Sequence, residues 1–255
     1  MAGSLEAGMH ILGIDIGGSG IKGGLVDTAS GRLVTDRLRV KTPAGAHPDD
    51  VIEKVVYLVK EFDYQGPLGV GFPAVIVDGA MRSAANVAQE WIGFAGRQAM
   101  AAATGLAVTL LNDADAAGLA EMRVGAGVGV SGVVIALTLG TGIGSALFID
   151  GKLVPNTELG HVYLRGQRQD AEDYASSRIK DELALGWKAW ARRLDKYLEH
   201  IEMLLSPQLI ILGGGISKDA DRFVPLVDIH ARLAPAQLRN NAGIVGAALA
   251  AAEAA

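Results

Sequence analysis

Two stretches of this chain, 13–27 (GIDIGGSGIKGGLVD) and 136–150 (ALTLGTGIGSALFID), follow one plan. Each reads as an apolar strand, a glycine-rich turn and a second apolar strand. A unit that recurs once, so far along the chain, points to an internally duplicated fold rather than to a tandem array. The remaining pattern alternates strands with helices, which makes the fold class α/β.

The elements between the two units can be read in order. Leu33–Val40 is expected to be a third strand, and Pro43 and Pro48 bracket a loop. Val51, Ile52, Val55, Val56 and Val59 recur at helical spacing. Leu68–Phe72 reads as a buried strand, and a helix near Phe94–Ala103 leads to a strand at Ala107–Leu111. The chain then enters a helix at Ala114–Arg123. Trp187, Trp190, Leu194, Tyr197, Leu198, Ile201, Leu204 and Leu205 fall three or four residues apart, one face of a long helix that Pro207 ends. Leu209–Leu212 is a buried strand running into Gly213–Gly215 and a helix start. An alanine-rich helix closes the chain from about Gly243. The expected division is a first lobe at 9–111, completed by 242–255, and a second lobe at 112–241.

Composition removes several classes of function. The chain of 255 residues is half apolar and has no cysteine, so disulfides, thiolate nucleophiles and cysteine zinc sites are excluded. A net charge of −5 argues against a surface built for nucleic acid. No apolar run is long enough to cross a membrane, and the first ten residues carry no signal-peptide pattern, so a cytoplasmic protein is expected.

The residues that can carry chemistry sit at the glycine turns and strand ends. In Asp15-Ile16-Gly17-Gly18-Ser19-Gly20-Ile21-Lys22, backbone N–H groups can approach an anion closely and Lys22 adds a positive charge. Asp15 could hold Mg²⁺, directly or through water. The spacing is not that of a P-loop, and glycines that merely satisfy a hairpin remain the alternative. Gly140, Thr141 and Gly142 form the second turn, whose amides and hydroxyl could hold another phosphate. A third cluster, Gly213-Gly214-Gly215, either favours an anion at a helix start or is a tight connection. Asn112-Asp113-Ala114-Asp115 lies where a strand becomes a helix. A carboxylate there can take the proton of an attacking hydroxyl, and Asn or Asp there can equally be a helix cap. Glu158 and His161 lie three residues apart after the second unit. Both can hydrogen-bond sugar hydroxyls, with a purely structural histidine the alternative for His161; zinc is disfavoured because no further His or Cys is near.

The order of these pieces resembles the ROK family of repressors, open reading frames and kinases, and within it the polyphosphate-using branch. The likeness runs from about Ile11 to Ala252. It is carried by DIGGSGIKGG (15–24), GFPAVI (71–76), SAANV (83–87), NDADAAGLAE (112–121), TLGTGIGSALF (138–148), LVPNTELGH (153–161), LIILGGGISK (209–218) and LRNNAGIVGAA (238–248). The resemblance implies a duplicated ribonuclease H-like fold of the actin-like ATPase and sugar kinase type, with two lobes and a cleft. It implies phosphoryl transfer from polyphosphate or ATP to the 6-hydroxyl of glucose or a related hexose, with Asp113 as general base. Asn86, Asn112, Glu158, His161 and Glu172 would bind the sugar. Asp15 with Mg²⁺, Gly17, Gly18, Ser19, Lys22, Gly140, Thr141 and Gly142 would hold the phosphates, and Gly214 and Gly215 would line an adenosine pocket. A homodimer is the expected assembly.

Departures from the family pattern are informative. The cysteine-rich zinc motif that typically follows the Gly-His pair is missing, as in the polyphosphate-using branch, so no zinc site is expected. Ala74 replaces a usual glycine, which matters only if φ is positive there. Arg165, Arg168, Arg178 and Lys180 could extend an anionic track or be ordinary surface. Three other readings stay open: a strictly ATP-dependent kinase for mannose or N-acetylmannosamine, a non-catalytic sugar sensor, and an Hsp70-like or actin-like ATPase, for which the chain leaves little room.

Overall fold

The computed structural model describes residues 8–84 and 87–255. In chain order the elements are β1 (His10–Gly17), β2 (Gly20–Asp27), β3 (Arg32–Leu33), β4 (Leu38–Val40), α1 (Pro48–Glu61), β5 (Leu68–Phe72), β6 (Ile76–Val77), β7 (Ala80–Met81), α2 (Gly96–Thr104), β8 (Val108–Asn112), α3 (Asp113–Val124), β9 (Val133–Leu139), β10 (Ile143–Ile149), β11 (Lys152–Val154), α4 (Glu172–Ala175), α5 (Ser177–Glu182), α6 (Trp187–Leu205), β12 (Leu209–Gly213), β13 (Arg232–Pro235) and α7 (Ala242–Ala254). The chain forms two compact units. One runs to Ala120 and takes in Asn241–Ala255; the other is Glu121–Asn240. The break falls inside α3.

In the first unit the sheet order is β3-β2-β1-β5-β8, with β4 also paired to β2. β1 and β2 are antiparallel, while β1, β5 and β8 are parallel. Glycines let α7 lie close on this sheet. A Cβ at Gly13 or Gly69 would overlap the backbone of Ile244 or Ala247. The core on the other face joins Leu12, Ile14, Val70 and Phe72 to Val51, Val55 and Leu58 of α1.

The expected strand over Leu33–Val40 is broken in two. β3 pairs Leu33 with Val26, whereas β4 pairs Leu38 with Gly23. Residues 34–37 therefore stand opposite only 24 and 25, a bulge of two extra residues. It is pinned where the Leu25 N–H donates to Thr35 Oγ1 at 3.2 Å and Val34 N–H donates to the Leu25 carbonyl at 2.8 Å.

The second unit repeats the topology. Its order is β11-β10-β9-β12-β13, with β9 and β10 antiparallel and β9, β12 and β13 parallel. α6 spans the expected residues and buries Trp190, Leu194, Tyr197, Leu198 and Ile201. Leu204 departs from the expected face and is exposed. The expected helix after Gly213–Gly215 is instead a 3₁₀ run over Gly215–Arg222, interrupted at Asp219.

One buried carboxylate in this unit had no sequence reading. Glu121 Oε1 accepts the Leu238 N–H at 2.8 Å, and Oε2 accepts the Ala126 N–H at 2.9 Å. Only 2% of the residue is exposed. Glu121→Ala would strand two backbone donors, each costing about 1–3 kcal/mol. We expect a loss of roughly 2–4 kcal/mol in denaturant unfolding on that scale. A loss under about 0.5 kcal/mol, the range of an ordinary surface change, would show that the loop does not depend on Glu121.

Candidate active site

In both units the singled-out residues gather at the carboxyl ends of parallel strands, where α/β sheets place ligands. In the first unit Asp15 pairs with Gly71, Gly71 with Leu111, and Phe72 with Asn112. Asp15, Asn112 and Asp113 thus share one end of the sheet. Lys22 lies opposite Asp15 in the hairpin and its Nζ donates to Asp15 Oδ2 at 3.1 Å. The Asp15 carboxyl also abuts Gly243 in the first turn of α7, where a Cβ would come within 2.8 Å of Cγ. The positive end of that helix favours a carboxylate.

Two carbonyls of the turn Gly17–Gly20 are occupied by side-chain donors. The Thr42 hydroxyl donates to the Gly17 carbonyl at 2.6 Å, and Arg39 Nη2 donates to the Ser19 carbonyl at 2.9 Å. Carbonyl oxygens repel an anion, so turning them to donors leaves Gly17, Gly18 and Ser19 better suited to one.

The Asn-Asp pair at the start of α3 divides its labour. Asn112 Oδ1 accepts the N–H groups of Ala114 at 2.8 Å and Asp115 at 3.1 Å, capping the helix. Its Nδ2 donates to the Ala74 carbonyl at 3.1 Å. Asp113 Oδ1 accepts the Ala114 N–H at 2.9 Å, and its side chain is half-buried. Ala74 has no positive φ, so the replacement of glycine there carries no backbone strain. Asn86 lies outside the described residues.

In the second unit the turn Gly140-Thr141-Gly142 is held by a strap, 172–178. The Ser177 hydroxyl and the Arg178 N–H donate to the Gly140 carbonyl at 2.8 and 3.1 Å, and Arg178 Nε donates to the Thr141 carbonyl at 2.9 Å. Glu172 Oε2 accepts the Ile143 N–H at 2.8 Å. A side chain at Gly142 would overlap that carboxylate. The strap is anchored in turn by Trp190 Nε1, which donates to the carbonyls of Ala175 and Ser176 at 2.9 and 3.2 Å. Gly214, at φ 82°, is placed directly against Leu139. Gly214 and Gly215 therefore sit beside the same turn.

Glu158 and His161 are set by a second support. Buried Ser145 accepts the Leu159 N–H at 2.9 Å and donates to the Thr157 carbonyl at 2.7 Å, and Tyr197 donates to the Leu159 carbonyl at 3.3 Å. Nothing in the sequence pattern separated Ser145 from its apolar neighbours. His161 Nδ1 lies 2.8 Å from Asp170 Oδ2, and its Nε2 is 4.0 Å from Glu158 Oε2. The Asp170 hydrogen bond is the main cause of a raised His161 pKa, with Glu172 and Glu158 adding to it and burial opposing. Burial raises Glu158, against the pull of His161. Burial also works to raise Asp170, but the Asp173 N–H and His161 outweigh it and the net shift is downward.

The four basic residues after the Gly-His pair separate into two kinds. Arg178 also reaches Asp173 at 2.6 Å and Glu182 at 3.2 Å, and Lys180 lies over the Trp187 ring at 4.5 Å. Both are tied into the structure, whereas Arg165 and Arg168 are exposed.

A sheet duplicated in this way, with a glycine turn and a carboxylate at its strand ends, defines a phosphate-handling protein of the ribonuclease H-like class. The ROK family model matches residues 11–175, and the chain belongs to the ROK family. It is 48% identical over 242 residues to a polyphosphate glucokinase of Mycobacterium tuberculosis (strain CDC 1551 / Oshkosh), covering 94% of this chain and 91% of that protein. Its structure is similar to that of an inorganic polyphosphate/ATP-glucomannokinase from Arthrobacter sp. strain KM, with TM-score 0.91, 47% identity and coverage of 96% and 99%. A ROK family glucokinase from Streptomyces griseus, solved with glucose and AMPPNP, matches with TM-score 0.79, 26% identity and coverage of 94% and 98%.

The geometry fixes the sign of one pH effect. A His161 pKa held above 6.5 favours the folded state below that value, and the gain fades as pH rises through the raised pKa. Asp170→Asn removes the main cause, so the His161 pKa should fall toward 6.5 in an NMR titration of the imidazole. An unchanged pKa would mean that Asp170 does not control it.

Proposed function

We propose that this chain transfers the terminal phosphoryl group of inorganic polyphosphate or ATP to the 6-hydroxyl of glucose. The observation that carries the reading is the near full-length identity of 48% to a polyphosphate glucokinase, with Asp113 at the end of a parallel strand beside the Asp15–Lys22 hairpin.

Asp113 is the general base. It takes the proton of the 6-hydroxyl as that oxygen attacks the terminal phosphorus. A new O–P bond forms, the bridging P–O bond breaks, and the shortened polyphosphate or ADP leaves with the electron pair. The proton remains on Asp113 until water removes it. Asn112 fixes the start of α3 and binds a sugar hydroxyl. Glu158 and His161 bind sugar hydroxyls, with Ser145 and Asp170 as positioning residues. Glu172 spends one oxygen on the Ile143 N–H and has the other for a hydroxyl. Lys22, Gly17, Gly18, Ser19 and the Gly140–Gly142 turn hold the phosphates, and Gly214 and Gly215 adjoin the nucleoside when ATP is the donor.

The donor set near Asp15 fits magnesium. No group of three His, Asp or Glu gathers among the described residues, so an all-protein cage is absent there. Mg²⁺ is commonly held by one or two carboxylates with phosphate oxygens and water. Asp15 supplies such a carboxylate, and the ion would neutralise charge on the transferring phosphates.

Two measurements test the reading. Purified protein with Mg²⁺ and nucleotide-free polyphosphate should form glucose 6-phosphate; product from ATP alone would remove the polyphosphate reading. Asp113→Asn should lower kcat by about 10²–10⁴-fold, the usual range for a general base. Its glucose affinity should stay within an order of magnitude of the parent. Parent-like turnover would remove Asp113 from the base role.

A further inference from the structure

The two glycine turns are clamped alike but differ in charge. In the second unit Arg178 holds Thr141 and is neutralised by Asp173 and Glu182. In the first unit Arg39 holds Ser19 in the same manner, yet among the described residues no carboxylate pairs with it. It stands opposite Lys22 across β2 and β4, and Lys22 is itself paired with Asp15 at 3.1 Å, so of the two cations Arg39 is the one without a carboxylate partner among the described residues.

Arg39 has a basic residue to either side. Arg37, Arg39 and Lys41 are exposed and alternate in sequence with the half-buried Leu38 and Val40; Arg39 lies in β4, Arg37 in the bulge before it and Lys41 just after it. Arg37 Nη1 donates to Asn241 Oδ1 at 3.3 Å just before α7, and Lys41 lines a cavity of about 720 Å³ together with Gly18 and Thr42. Arg39 and Lys41 are thus placed at the tip of the Gly17–Gly20 turn. The turn itself is shaped for Arg39: a Cβ at Gly20 would lie 2.6 Å from its Nε. All this occurs in a chain of net charge −5.

We propose that Arg37, Arg39 and Lys41 form a track for the long polyphosphate donor, binding phosphates beyond the one transferred. The assignment rests on the reaction proposed above and moves the track away from Arg165 and Arg168. Basic residues also protect edge strands from unwanted pairing. That role needs only charge, whereas here an arginine is hydrogen-bonded to the Gly17–Gly20 turn.

The test is equilibrium binding of long-chain polyphosphate and of tripolyphosphate to the full chain, at several salt concentrations. Arg39→Gln/Lys41→Gln should weaken long-chain binding about tenfold or more, weaken tripolyphosphate less, and flatten the salt dependence by roughly one unit of slope per charge removed. Lys41→Gln alone, which leaves the clamp intact, should show part of the loss. Arg39→Lys should retain most long-chain binding. Unchanged long-chain binding in the double variant, or a loss found instead in Arg165→Gln/Arg168→Gln, overturns the track while glucose 6-phosphate formation by the parent still stands. A parent that neither binds polyphosphate nor uses it overturns both.

Discussion

Both units depend on keeping a glycine turn bare of side chains and yet rigid. Glycine gives access to the backbone but also freedom, and its carbonyls face an incoming anion with the wrong sign. The same answer appears twice. A hydroxyl, from Thr42 or Ser177, takes the first carbonyl of the turn, and an arginine, Arg39 or Arg178, takes the carbonyl at its tip. Much of the local architecture serves these four donors. The two-residue bulge that separates β3 from β4 sets the strand that carries Arg39, and Trp190 holds the strap that carries Ser177 and Arg178.

The exposed ion pairs of Arg178 matter for orientation more than for energy, since such pairs contribute at most about 1 kcal/mol each. Buried bonds carry the stability. Glu121, Ser145 and Trp190 each join backbone groups that would otherwise be stranded in apolar surroundings. The site's side chains are therefore held by residues with no part in the chemistry.

The sequence was most legible where one physical rule acted alone. Strand–turn–strand repetition exposed the duplication, and helical spacing located α6 because its apolar face meets a single core. Leu204 escaped that pattern because in the helix's last turn it is Leu205 that packs against the core, leaving Leu204 exposed. The split between β3 and β4 falls where Thr35, Asp36 and Arg37 interrupt the apolar pattern, and the register of the partner strand reveals it as a bulge. Arg178 stayed open between anionic track and surface, and its role in holding the turn was hidden because its Nε donates to a main-chain carbonyl 37 residues away, that of Thr141. Glu121 was hidden for the same reason: its acceptors serve N–H groups, which leave no mark on side-chain patterns. Asn112 and Asp113 could not be ranked as cap and base from the tetrapeptide; in the structure Asn112 accepts the Ala114 and Asp115 N–H groups, and Asp113 shares the first of them.

The claim that ties these observations together is that both clamped turns are built to receive phosphate. Backbone amide NMR of the full chain, titrated with tripolyphosphate in the presence of Mg²⁺, tests it most directly. The account predicts large, saturable shifts at the amides of Gly17–Gly20 and Gly140–Gly142, with smaller changes elsewhere in each unit. Shifts confined to other surfaces, with both turns silent, would contradict it.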